Sequence, residues 1–177
     1  MVKIKTGQKA PIFQAESYNA GAVDLAEMIG NMKIVLVFSR YFGCPICQLD
    51  LKELMDRLPE IEEKNAKLIY ITQSGEEACK DMIEEEDISF PVIGAEKIPG
   101  TKHDYKIYDI YGLGRMSLSA VSKVPLKLRE CKKAGIEHGE YEGYESQSPG
   151  QFVIDETGTI IHAKNDWLNI DKILEVL

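Results

Sequence analysis

The sequence predicts an α/β chain with a mixed central sheet and helices on both faces. Three observations carry this. Residues 33–38 (KIVLVF) and 68–72 (LIYIT) are short apolar, β-branched runs, the pattern of strands buried on both sides. Between them Leu51, Leu54, Met55 and Leu58 recur at helical spacing and make one apolar face. A strand–helix–strand order gives parallel neighbours through right-handed crossovers, whereas a hairpin late in the chain adds antiparallel ones.

Each element has its own warrant. Pro59 should kink or end the helix that carries Leu51 to Leu58, because a proline inside a helix removes a hydrogen bond and clashes with the preceding turn. Residues 76–86 read as a second helix with Ala78, Cys79, Met82 and Ile83 on one face, and the acidic run 84–87 as its solvated end. Residues 91–93 (PVI) read as a short strand. A helix is expected from near Thr101 to before Gly112, with Tyr105, Tyr108 and Tyr111 packing on one side. A basic helical piece is expected to begin at Pro125, since proline suits a first helical position. Residues from Gly135 onward read as loop. Residues 151–155 and 159–162 then form two strands, with Gly158 supplying the positive φ of the turn. Asn169 is a candidate N-cap for a last helix with Ile170, Ile173, Leu174 and Leu177 on one face. Together these give one domain over residues 1–177, with an irregular helical and loop insertion around 115–148.

The charge balance narrows the function. Twenty-one Lys and Arg against 29 Asp and Glu leave a net charge of -8, which argues against a nucleic-acid partner. No apolar run approaches the ~18 residues of a membrane span. The opening residues Met1 to Thr6 lack the apolar stretch of a signal peptide, so the expected location is cytoplasmic. In that setting Cys44, Cys47, Cys79 and Cys131 are not expected to form a permanent disulfide framework.

Cys44-Pro45-Ile46-Cys47 is the most informative feature, because it stands between the first buried strand and the next helix. Free backbone N–H groups and the helix dipole at a first turn stabilise an anion there. A thiolate at that place has a lowered pKa and is the reactive form. Residues i and i+3 can also close a reversible disulfide, and C-x-x-C beside a βαβ pattern reads as thioredoxin-like redox chemistry. A structural zinc site would want four ligands, yet His103, His138 and His162 are scattered and the other two cysteines are isolated. Neither a metal nor an organic cofactor is implied.

Other residues divide between a chemical and a bland reading. Arg40 precedes Cys44 by four positions; its guanidinium either favours a thiolate or merely closes the strand. Ser148-Pro149 precedes the late hairpin, where a loop proline, cis or trans, can pack against the C-x-x-C turn. Cys79 on an apolar helix face reads as a small buried hydrophobe. Cys131, between Glu130 and Lys132, reads first as a surface thiol, although its positive neighbours could lower its pKa.

Four segments in order resemble the peroxiredoxin, or alkyl hydroperoxide reductase–thiol-specific antioxidant, superfamily of the thioredoxin fold. These are Gly7 to Phe13 (G-x-x-A-P-x-F), the stretch IVLVFSRYFGCPIC, Ser89-Phe90-Pro91-Val92, and the hairpin from Gln151 to Ile160. Typical members carry P-x-x-x-T-x-x-C at the active-site turn. The resemblance then places the peroxidatic cysteine at Cys47, the threonine position at Cys44, the proline position at Arg40, and a later catalytic arginine at or near Pro149. The pattern R-x-x-G-C-x-x-C, Arg40 to Cys47, and the segment Tyr111 to Arg115 are similar to a divergent peroxiredoxin-like group with a C-x-x-C site.

The resemblance implies a thiol peroxidase. Cys47 would attack a hydroperoxide, Cys44 would resolve the sulfenic acid, Arg40 would assist, and Pro45 and Pro149 would support the turn. An external dithiol, such as a thioredoxin-like protein, would reduce the pair, and a homodimer is left open. The C-P-I-C itself and Pro149 imply an alternative: a thiol–disulfide oxidoreductase with Cys44, the more exposed cysteine, attacking and Cys47 resolving. A sensing protein without turnover is the remaining class.

Overall fold

The computed structural model describes residues 3–102 and 104–177; Met1 and Val2, part of the expectation about the opening residues, and His103 lie outside the described residues. Its centre is a five-stranded sheet in the order β5-β4-β3-β6-β7. The strands are β3 (Lys33–Phe38), β4 (Ala66–Thr72), β5 (Val92–Gly94), β6 (Gly150–Ile154) and β7 (Ile160–Lys164). β3, β4 and β5 are parallel, with Leu36 beside Ile69. β6 runs antiparallel to β3, with Phe152 beside Leu36, and β7 antiparallel to β6. The sheet is mixed, as the order of elements predicts.

Alternation along β3 explains its continuous apolar run. Ile34, Leu36 and Phe38 face one core, joined by Ile69, Ile71, Phe152 and the tyrosines at 105, 108 and 111. Val35 and Val37 face a second core with Leu51, Leu54, Ile61, Cys79, Ile170 and Ile173. The helices α2 (Pro45–Asp56), α3 (Leu58–Glu62), α4 (Glu76–Glu86) and α7 (Ile170–Val176) bring residues to the second core. α1 (Leu25–Met28) and α5 (Lys106–Ile110) bring theirs to the first. α2 ends at Arg57 and α3 resumes with Pro59 in its first turn, the interruption expected there. Asn169 caps α7, its side chain accepting from the Lys172 N–H at 3.0 Å.

Two expectations are corrected, and one element went unpredicted. α5 begins at Lys106 rather than near Thr101, because Gly100 turns at φ +79 and Lys97 bridges Tyr105 before any helix forms. α6 (Leu118–Lys133) starts seven residues before Pro125, which lies inside it. Ser117 begins that helix instead, its hydroxyl accepting from the Ala120 N–H at 3.1 Å. The hairpin β1 (Gln14–Ser17) and β2 (Gly21–Asp24) forms a separate two-stranded sheet that periodicity did not signal. Among the described residues no helix is long and apolar enough to cross a membrane.

Candidate active site

The chain leaves β3 at Phe38, crosses six residues and enters α2 at Pro45. Cys44 is the N-cap of that helix and Pro45 its first residue, so the missing proline N–H costs no hydrogen bond. A cap normally offers an oxygen to the free N–H groups of the first turn. Here Cys44 offers sulfur: its Sγ accepts from the Cys47 N–H at 3.4 Å. A sulfur in that position is a far better acceptor as thiolate than as thiol.

Arg40 supplies the countercharge. The residue is buried at 6% exposure, and Nη2 donates to Cys44 Sγ at 2.7 Å. Nη1 donates to the Glu145 carbonyl, with the Glu145 carboxylate 3.6 Å away. The guanidinium carbon lies 5.2 Å from the Trp167 ring and 5.8 Å from the Tyr41 ring. Burial alone would raise the Cys44 pKa. The hydrogen bond from the Cys47 thiol and the charge and hydrogen bond of Arg40 outweigh it, pulling Cys44 down to about 6. Cys47 moves the other way, well above the ordinary thiol value: it is buried, it donates to Cys44, and it faces the Cys44 charge. Both cysteines are buried, so the expectation that Cys44 is the more exposed is not met.

The sites named from sequence come together here. Pro149 precedes Gly150, which pairs with Phe38 at the end of β3, and it lines a small cavity with Cys47. Its peptide bond is trans, since there is no cis peptide among the described residues. Cys79 stands apart in the second core, its Sγ donating to the Ser74 carbonyl at 3.5 Å, and burial pushes its pKa up to about 12. Cys131 corrects the surface reading. It is 1% exposed, because α6 lies on the start of α2 and packs it with Ile46, Cys47 and Trp167. Burial then raises its pKa rather than the lysines lowering it.

Sequence reasoning missed Asp50. It lies one turn after Cys47 on α2, is 7% exposed, and lines the same cavity. Lys127 of α6 donates to its Oδ1 at 2.7 Å and the Leu168 N–H to Oδ2 at 3.3 Å. Burial dominates, only partly offset by Lys127, and its pKa is pushed up to about 7. A charged residue inside the Leu51 and Leu54 stripe was the available signal. Lys123, one turn before Lys127, pairs in the same way with buried Asp166 at 2.5 Å. Among the described residues no three His, Cys, Asp or Glu side chains gather as metal ligands.

A dithiol with one acidic, Arg-paired sulfur at a helix N-terminus can exchange with disulfides or reduce an electrophilic oxygen. The model of the AhpC/TSA family matches residues 6–163. The chain belongs to the AhpC/TSA family. Solved structures agree on the fold. A yeast mitochondrial 1-Cys peroxiredoxin is 18% identical, with a TM-score of 0.64 over 98% of this chain and 74% of its own. The peroxidoxin BcpB of Mycobacterium tuberculosis is 16% identical, with a TM-score of 0.63 over 98% of this chain and 96% of its own. A thiol:disulfide interchange protein of the thioredoxin family from Chlorobium tepidum is 15% identical, with a TM-score of 0.58 over 98% and 97%. The fold of this AhpC/TSA member is therefore thioredoxin-like. No curated protein matches the chain.

Proposed function

We propose that this chain is a thiol-dependent oxidoreductase that cycles Cys44 and Cys47 between dithiol and disulfide, with Cys44 as the nucleophile. The observation that carries this is the 2.7 Å contact from Arg40 Nη2 to Cys44 Sγ at the α2 N-cap. These roles are the reverse of those the turn alignment implies, in which Cys47 attacks.

In disulfide exchange the Cys44 thiolate attacks one sulfur of an oxidised partner. A mixed disulfide forms and the partner's other sulfur leaves as thiolate. Cys47 then gives up its proton, for which the Asp50 carboxylate in the shared cavity is the acceptor, and attacks the Cys44 sulfur. The Cys44–Cys47 bond closes, the partner's second sulfur leaves, and two electrons have passed to the partner. An external dithiol, such as a thioredoxin-like protein, runs the sequence backwards and restores the pair.

Membership of the AhpC/TSA family favours a second reading for the oxidant, a hydroperoxide. The Cys44 thiolate then attacks the terminal oxygen and the O–O bond breaks. The alcohol departs with a proton, leaving a sulfenic acid, and Cys47 condenses with it to release water. Intact mass after stoichiometric hydrogen peroxide, or after a small oxidised dithiol, separates these readings in the wild type, Cys44→Ser and Cys47→Ser. The expected result is an adduct or sulfenic acid held on Cys44 in Cys47→Ser and an inert Cys44→Ser. A sulfenic acid forming on Cys47 in Cys44→Ser as fast as the wild type is oxidised would return the attacking role to Cys47.

A further inference from the structure

The active-site turn is not open to solvent. After α6 the chain returns as a strap, residues 137–146, laid directly over the turn. The Gly139 N–H donates to the Gly43 carbonyl at 2.8 Å. The fit leaves no room for a side chain on the turn: a Cβ on Gly43 would stand 1.9 Å from the Glu140 carbonyl oxygen. Further along, the Tyr144 N–H donates to Gln73 Oε1 at 2.6 Å, the Glu142 carboxylate accepts from the Ser74 hydroxyl, and Glu145 takes Arg40. Cys44, next to Gly43, has 0% exposure: α6 and Trp167 pack on one side of it, and the strap closes over Gly43 and Arg40 on the other.

The strap itself is a thin layer. None of residues 137–146 is buried; the strap is fastened by hydrogen bonds to the turn and its neighbours and by the His138 and Tyr141 rings beside Tyr41. Segments of this kind open locally at small cost compared with global unfolding. The cover and its weak fastening together define a filter. A small molecule needs only a local fluctuation to touch the sulfur, whereas a protein needs the whole strap displaced.

We infer that residues 137–146 are a specificity element: a size filter that gives the Cys44 thiolate to small oxidants and withholds it from protein-sized disulfides until the strap opens. This rests on the reading of Cys44 as nucleophile and assigns the size class of its oxidant. Gly43 is part of the same device, because only a residue without a Cβ lets the strap close.

Two maleimides that differ only in bulk test it. N-ethylmaleimide and a polyethylene-glycol maleimide are reacted near neutral pH with the full chain carrying Cys47→Ser, Cys79→Ala and Cys131→Ala, so that Cys44 is the one thiol. The ratio of their rates in denaturant gives the ratio without a strap. The native protein should disfavour the bulky reagent by a further factor of about 100, the penalty of an opening free energy near 3 kcal/mol. Adding Gly43→Ala, which forces the strap off the turn, or Glu142→Ala, which removes its tie to Ser74, should recover about tenfold or more of that factor. Glu142→Ala carries the test should Gly43→Ala not fold. A native ratio equal to the denatured one overturns the filter, and so does a ratio that the folded strap variants leave unchanged. The pH dependence of the ultraviolet thiolate absorbance in the same parent protein reports separately whether Cys44 is the acidic thiol. A failed filter and a failed nucleophile assignment are thus told apart.

Discussion

Asp50 gives the prediction that follows most directly from the structure. Its carboxyl titrates at about 7 in the folded chain against 3.8 when unperturbed, because burial outweighs the pull of Lys127. A carboxyl raised on folding contributes stability at pH below its unfolded value and loses it as pH rises through the folded one. Integrating proton release between about pH 5.5 and about pH 8.5 gives a loss of about 2 kcal/mol from this one group. The groups facing it keep one charge state through that window: Lys127 stays protonated, and burial keeps the Cys47 and Cys131 thiols and the Tyr70 hydroxyl neutral. Asp50→Asn removes the titration while keeping shape. Any loss it causes in the bonds to Lys127 or to the Leu168 N–H is the same at both pH values and cancels in the difference. Urea unfolding of both proteins at both pH values reads the effect: the wild type should lose about 2 kcal/mol more than the variant. Parallel stability losses within about 0.5 kcal/mol would falsify the claim that the site raises the Asp50 pKa.

Three further outcomes are expected. In a double-mutant cycle of Arg40→Met and Cys44→Ser, the coupling energy should be about 2 kcal/mol near pH 8 and fall below about 1 kcal/mol near pH 4.5, where the thiol is protonated; coupling independent of pH would mean contact without charge. Trp167, the sole tryptophan, lies in the cluster with both cysteines and beside Arg40, so its emission should change on closing the Cys44–Cys47 disulfide and stay constant in Cys44→Ser. Pro125 is exposed and cannot donate within α6, so Pro125→Ala should raise stability by about 1 kcal/mol or more, measured by thermal unfolding; a lower midpoint would show that the proline shapes α6 for its lysine pairs.

What was legible in the sequence follows from where the information resides. β3 and α4 are predicted at the bounds they take, because their signals are local: an apolar run for one, a one-sided stripe for the other. The β1–β2 hairpin was missed because its strands are only four residues each and bury a single apolar side chain, Val23, so no alternation marks them. Pro125 misled because its fixed φ fits a helix interior as well as a first turn, and the cap at Ser117 outweighed it. Cys131 was misread because its neighbours in sequence are charged while its neighbours in space, Ile46 and Trp167, are not. The Asp50–Lys127 and Lys123–Asp166 pairs span 77 and 43 residues, and no spacing rule reaches that far.

The proposed order of the cysteine roles is the reading least legible in the sequence, and the reason is geometric. Arg40 stands four residues before one sulfur and seven before the other, and either spacing allows contact. The proposed order rests on Cys44 taking the N-cap, outside the helix and turned back toward the strand end, while Cys47 lies within the first turn and lines a cavity with Asp50. The two departures from the family's usual turn, arginine for proline and cysteine for threonine, then act as one change. A buried guanidinium without an anion and a buried thiolate without a cation are each costly, by several kcal/mol in the general case. Together, 2.7 Å apart, they satisfy each other. Glu145 in the strap takes the other arm of Arg40, so the residue proposed to activate the sulfur also ties down the strap. On the two proposals together, a substitution at Arg40 should move both reactivity and access, whereas one at Gly43 should move access alone.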